Sequence, residues 1–114
     1  MAIVNITVTN DADFYRVFQY QTISGVPIDI SGMSFLMMLR RHATDEVALM
    51  RLSSETGEIV TVDALNGLFS VKITQAELVK LDLGEYAHSN IMIQGDAKRS
   101  IWTGTLTNNP GPSR

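Results

Sequence analysis

Met33-Ser34-Phe35-Leu36-Met37-Met38-Leu39-Arg40-Arg41 is the most apolar stretch of the chain, and the way it is read decides the fold. In an extended strand successive side chains alternate between faces. Met33, Phe35, Met37 and Leu39 then share one side, and Ser34, Leu36, Met38 and Arg40 share the other. Both sides are partly greasy. If the odd positions enter a core, Leu36 and Met38 stay outside, and paired apolar side chains there imply cover from another chain. The alternative is a strand buried on both faces. Met and Leu also favour helices, but the preceding Gly32 and the shortness of the run argue for a strand.

Upstream, Ser24-Gly25-Val26-Pro27 breaks any regular element, because Pro27 lacks a ladder donor and Gly25 tolerates positive φ. Ile28 and Ile30 follow as a short apolar pair. Before that turn an extended run places Phe14, Arg16, Phe18 and Tyr20 on one side and Tyr15, Val17, Gln19 and Gln21 on the other. Residues 3–8 are rich in β-branched side chains and read as the first strand, closed by the turn Asn10-Asp11-Ala12-Asp13.

Downstream, residues 42–46 are a polar connection, residues 47–52 suit either a short strand or a helical turn, and residues 53–57 form a loop. Residues 59–62 alternate as a strand, and Asn66-Gly67 is a tight-turn signal leading into Phe69, Val71 and Ile73, so this unit reads as a hairpin. Thr74-Gln75-Ala76-Glu77 has capping-box spacing and starts a short helix whose apolar side is Leu78, Val79 and Leu81, with Gly84 as its stop. Two last strands, 85–94 and 99–107, flank the turn Gly95-Asp96-Ala97-Lys98.

The sum is mainly β: seven or eight short strands and one short helix, which favours an antiparallel, immunoglobulin-like (Ig-like) β-sandwich over a small barrel. The 114 residues suit one domain. Residues 1–107 form that sandwich. Residues 108–114, with Pro110 and Pro112, form a flexible C-terminal tail.

Composition narrows the function classes. There is no cysteine, so disulfides and thiolate metal sites are out. Nine basic against twelve acidic residues give a formal net charge of -3, and the only basic pairs, Arg40-Arg41 and Lys98-Arg99, read as solvated strand ends; nucleic acid is not an expected partner. The first residues lack the charged and long apolar regions of a signal peptide, and nothing approaches the roughly 20 apolar residues of a membrane span, so no membrane partner is expected.

Candidate chemistry is sparse. His42 falls in a polar loop and His88 in a strand, without the spacing that brings histidines to a metal; His88 is expected on a sheet face beside Tyr86 and Asn90. Asn10-Asp11-Ala12-Asp13 resembles the acidic opening of a calcium loop, but Tyr15 and Arg16 stand where further donors and the turn glycine belong. Ser53, Ser54 and Ser89 lack a nucleophile elbow, and no glycine-rich phosphate loop occurs. Asn5-Ile6-Thr7 matches a glycosylation acceptor only as a pattern. No catalytic residue, metal ligand or cofactor is therefore assigned. Trp102 is expected in the core by default, with a contact role as its alternative.

The order of elements resembles small phage and prophage tail-associated proteins, similar in pattern to the amino-terminal domain of baseplate upper proteins. The resemblance rests on the strand opening at Asp13-Phe14, on Gly25-Val26-Pro27-Ile28-Asp29-Ile30-Ser31-Gly32 leading into the 33–41 strand, and on the Asn66-Gly67 hairpin. It continues through the helical segment 74–83, Gly84-Glu85-Tyr86 and the closing Trp102-Thr103-Gly104-Thr105-Leu106-Thr107. Ser89-Asn90 departs from it by being polar inside the closing hairpin. What the resemblance implies is a non-catalytic structural protein of a tail or baseplate. It would reside in the virion, and in the host cytoplasm during assembly, and act as a homo-oligomer or by docking on other phage structural proteins. Leu36, Met38 and Trp102 are the expected interface residues. The rival reading is a carbohydrate-binding β module that stacks sugars on Trp102, Tyr86 and Tyr20.

Overall fold

Strand β4 (Ser34–Arg40) carries the apolar stretch and alternates as an extended chain must, with Phe35, Met37 and Leu39 buried and Leu36, Met38 and Arg40 half-buried on the opposite side. The computed structural model describes residues 2–22 and 24–112. Within them β4 follows β1 (Ala2–Ile3), β2 (Ile6–Thr9) and β3 (Phe14–Gln19). After it come β5 (Met50–Ser53), β6 (Ile59–Asp63), β7 (Leu68–Ile73), helix α1 (Gln75–Lys80), β8 (Gly84–Gln94) and β9 (Ala97–Asn109).

These strands make two layers. The larger sheet runs β1-β9-β8-β4-β5, with β2 also on β9, and the smaller runs β3-β7-β6. The smaller sheet matches the B, E and D strands of an immunoglobulin domain and the larger its G, F, C and C′ strands, so the fold is an Ig-like β-sandwich. The first strand expected from sequence is split in two at Val4 and Asn5. Both halves pair with β9 in parallel, Ile6 opposite Leu106 and Ala2 opposite Trp102. No hairpin joins β2 to β9; the chain leaves β2 for the other layer through residues 10–13, so no turn dictates an antiparallel pairing there.

The core lies between the layers. Phe18 of β3, Phe35 of β4, Phe69 of β7 and Trp102 of β9 form a connected aromatic group, with ring centroids 4.6 Å apart for Phe18 and Trp102 and for Phe35 and Phe69. Full burial of a side chain such as Phe35 or Phe69 contributes about 1.5–3 kcal/mol. Val71, Ile73, Tyr86 and Leu106 complete the inner surface.

The turns follow their residues. The β6–β7 hairpin forms as the Asn66-Gly67 pair implies, but its loop is a 3₁₀ turn over Ala64–Asn66 closed by Gly67 at φ 68°. A side chain at Gly67 would start 2.5 Å from the Tyr20 carbonyl oxygen and 2.6 Å from that of Ile28, so backbone packing reserves the position for glycine. Gly95, at φ 58°, takes the first place of the two-residue β8–β9 turn. Of the two readings left open for residues 47–52, the strand is realised as β5.

One end of the sandwich is clamped by polar groups. Thr74 caps α1, its hydroxyl accepting from the Glu77 amide, and the Asp13 carboxylate accepts from the Gln75 amide at 2.6 Å. The buried Asn10 side chain accepts from the Gly111 amide at 2.8 Å, and the buried Asn108 side chain donates to the Leu78 carbonyl at 3.1 Å. The chain is thus ordered beyond residue 108, where the tail was expected to begin: β9 continues to Asn109 and Gly111 is buried. Hydrogen bonds from side chains distant in sequence extend order past the point where the prolines suggested fraying. Ser113 and Arg114, the end of that expected tail, lie outside the described residues.

Tyr86 stands near the start of β8 and donates its hydroxyl to the carbonyl of Asp82, the tyrosine corner of immunoglobulin sandwiches. Two residues on, where disulfide-bearing relatives of that fold place a cysteine, this chain has His88.

Candidate docking surfaces

Register builds a shallow apolar floor on the outer face of the larger sheet. Leu36 of β4 lies opposite Ile91 of β8, Met38 opposite Ser89, and Ser89 in turn opposite Thr103 of β9. Leu36, Met38, Ala87 and Ile91 line one depression, with Arg40 and Asp45 at its rim. Arg40 donates from Nε to the Asp45 carbonyl at 2.9 Å and from its guanidinium to the Met38 sulfur at 3.5 Å, which folds the cation over the apolar floor. Leu36 and Met38 are thus half-buried. Among the described residues no second layer covers them, and their same-face neighbours shield them in part.

A second face went unread in the sequence. On the outer side of the smaller sheet Val17 of β3 and Val60 of β6 both stand opposite Ser70 of β7, bringing their side chains to one row. Val17 is 43% exposed, Val60 50% and Tyr15, one row along, 61%. The sequence signal was the alternation of β-branched residues across 59–63, but only the register shows that this face meets that of β3.

Trp102 belongs to neither surface. It is 4% exposed, directed inward from β9 and packed on Phe18 and Phe69, which corrects the expectation that it joins Leu36 and Met38 at an interface. A one-residue bulge between Asn90 and Ile91 in the β8–β9 pairing sets which β9 side chains face inward. Tyr86 is buried as well, and Tyr20 is half-buried against the core. Tyr86 lies apart from the other two, and Trp102 shows only 4% of its surface in the groove that it lines with Tyr20, so the three rings do not form the single stacking platform of the carbohydrate-binding alternative.

The histidines are separated by environment. His42 sits on an exposed turn and donates its amide to the Asp45 carboxylate at 3.1 Å. His88 is buried on the inner face of the larger sheet, the face that also carries Tyr86 and Asn90, and its Nε2 meets the Thr105 carbonyl at 3.1 Å. A carbonyl only accepts, so Nε2 carries the hydrogen in the neutral ring. Burial pushes the His88 imidazole below the ordinary value of 6.5, partly offset by the carbonyls of Thr105 and Val4, which favour the protonated form. Beside it, Asn90 is fully buried with neither end of its amide bonded to another protein group, and Trp102 Nε1 is likewise buried without a protein partner. Among the described residues no group of three or more His, Asp or Glu is placed to hold a metal ion, and no helix is long and apolar enough to cross a membrane. The Asn10–Asp13 segment spends its donors and acceptors on α1 and Gly111, as a structural turn.

The layers, strand order and tyrosine corner define the class: an Ig-like β-sandwich that presents sheet faces and edges. No family model matches the sequence, and no curated protein does. Among solved structures the chain is similar to the N-terminal domain of phage TP901-1 ORF48, with a TM-score of 0.58 at 17% identity, covering 95% of this chain and 85% of that one. The phage-protein resemblance read from the order of elements thus has a counterpart in a solved fold. Two mouse structures were also found. Murine CRIg has a TM-score of 0.45 at 14% identity, covering 94% of this chain and 92% of that one; the Ig1 domain of mouse SynCAM 2 has 0.41 at 16%, covering 95% and 93%.

Proposed function

We propose that this chain is a non-catalytic structural component of a phage or prophage tail or baseplate. It docks on other virion proteins, or on itself, through the outer face of its larger sheet. The observation that carries the reading is the match of nearly the whole chain to nearly the whole of an amino-terminal domain of a phage protein. The half-buried Leu36 and Met38 supply a surface suited to the role, an apolar floor with a polar rim at Arg40 and Asp45. Assembly in the host cytoplasm and residence in the virion follow from it.

The test is co-expression of the tagged chain with the tail proteins encoded beside its gene, followed by light scattering on the purified product. A defined complex or homo-oligomer is expected, lost in the Leu36→Lys/Met38→Lys variant while that variant melts as the parent does. A strict monomer at high concentration that also captures none of those tail proteins would sink the proposal.

A further inference from the structure

The smaller sheet ends at β3, and the larger sheet does not end there. Phe18 on β3 packs under Trp102 on β9, and β1 and β2 lie one strand beyond β9. The larger sheet therefore overhangs the β3 edge by about one strand spacing, ~4.8 Å. Among the described residues no strand pairs with the outer side of β3.

The backbone on that side is aligned for pairing. Tyr20 donates its amide to the Gly67 carbonyl, which marks the even residues of β3 as those bonded toward β7. In an antiparallel ladder the intervening residues turn their groups the other way, so Val17 and Gln19 point N–H and C=O out along the free edge. Gln21 continues the alternation, since Thr22 and Ile28 bond on the β7 side. Other edges carry devices that discourage pairing: β6 has a bulge before Asp63, β5 is four residues long, and the β1–β2 edge is interrupted at Val4 and Asn5. From Val17 through the end of β3 and on to Gln21, the chain has no bulge and no proline.

Beneath the overhang this edge opens on a groove lined by Phe18, Tyr20, Val4 and the small exposed part of Trp102. Arg99 is the one charged side chain lining it among the described residues, and no described carboxylate pairs with it. In a chain of net charge -3 this leaves a locally cationic slot.

We propose that the β3 edge is a strand-addition site for a single extended peptide segment of a partner protein. The segment alternates apolar side chains into the groove and carries a carboxylate for Arg99. A second copy of this domain is not the occupant: antiparallel β3-to-β3 pairing about a twofold axis puts both larger sheets on the same side, and their overhangs would collide. A lone strand fits in the slot, gains main-chain hydrogen bonds from Val17, Gln19 and Gln21, and buries alternate side chains against the groove lining. This surface is separate from the Leu36 and Met38 face, and the proposal stands or falls independently of docking there.

The test titrates the ¹⁵N-labelled chain with a short synthetic peptide that alternates valine with threonine and carries one aspartate. Binding should protect the Val17, Gln19 and Gln21 amides from hydrogen exchange. Val17→Pro leaves the β7 ladder intact, because that amide faces outward, and should abolish binding in a folded chain. Arg99→Glu should weaken the aspartate peptide roughly tenfold and favour its lysine counterpart. Binding that leaves those three amides unprotected, binding indifferent to Val17→Pro and Arg99→Glu, or the same amides already protected in a dimer without peptide would each overturn the proposal.

Discussion

The carbonyl of Val4 occupies the space in which a side chain on Gly104 would begin: an ideal Cβ there would lie 1.8 Å from the Val4 oxygen. This contact seats the break between β1 and β2 closely against β9, and the Val4 amide bonds the Thr103 carbonyl at 2.9 Å beside it. Gly104→Ala should push the N-terminal segment off β9. The obstacle is backbone, not the end of a flexible side chain, so the loss is placed at about 3 kcal/mol, the upper end for overpacking. Urea unfolding measures it, and an unchanged midpoint would contradict the close approach.

Tyr86→Phe removes one oxygen and leaves the ring beneath the Arg41 guanidinium, which stands 4.9 Å from its centroid. Only the bond to the Asp82 carbonyl is lost. The expected cost is about 1–1.5 kcal/mol, with the unfolding slope unchanged. A neutral result would mean that the corner is held by packing alone.

Asn90 keeps a fully buried amide opposite Trp102, without a protein partner for either end. Asn90→Val replaces it with a residue that suits a strand and asks for no hydrogen bond. Stability should rise by about 1 kcal/mol, read from the shift in thermal midpoint. A clear loss instead would show that the amide is satisfied in solution.

For His88 the sign follows from burial. Its folded pKa lies below the ordinary 6.5, so as pH falls past that value the unfolded chain takes up a proton that the folded chain resists. The group's contribution is present above 6.5 and is lost progressively as pH drops from there toward the folded value. Stability measured from pH 8 to pH 5 should therefore decline more steeply in the parent than in His88→Leu. Parallel profiles would mean that His88 titrates alike in both states.

Much of the architecture was legible because it is local chemistry. Alternation in residues 33–39 placed Phe35, Met37 and Leu39 inward, the Thr74–Glu77 spacing started α1, and glycine with its neighbours marked both hairpins. Residue 102 shows the limit. A tryptophan near the end of a β-rich chain is compatible with core or surface, and a one-residue bulge, invisible in the pattern, helps set which way the β9 side chains point.

By itself the sequence determined that strands would form, where they would turn, and that one apolar run would carry grease on two faces. Its period-two alternation says which side chains share a face, but not which face meets which. Only the tertiary structure decided that Val17 and Val60 share a row, that His88 and Asn90 are enclosed, and that β3 is left as an open edge beneath β9. Those outcomes depend on register and on contacts between residues far apart in the chain, and hydrogen bonding between strands settles them after local preference has done its part.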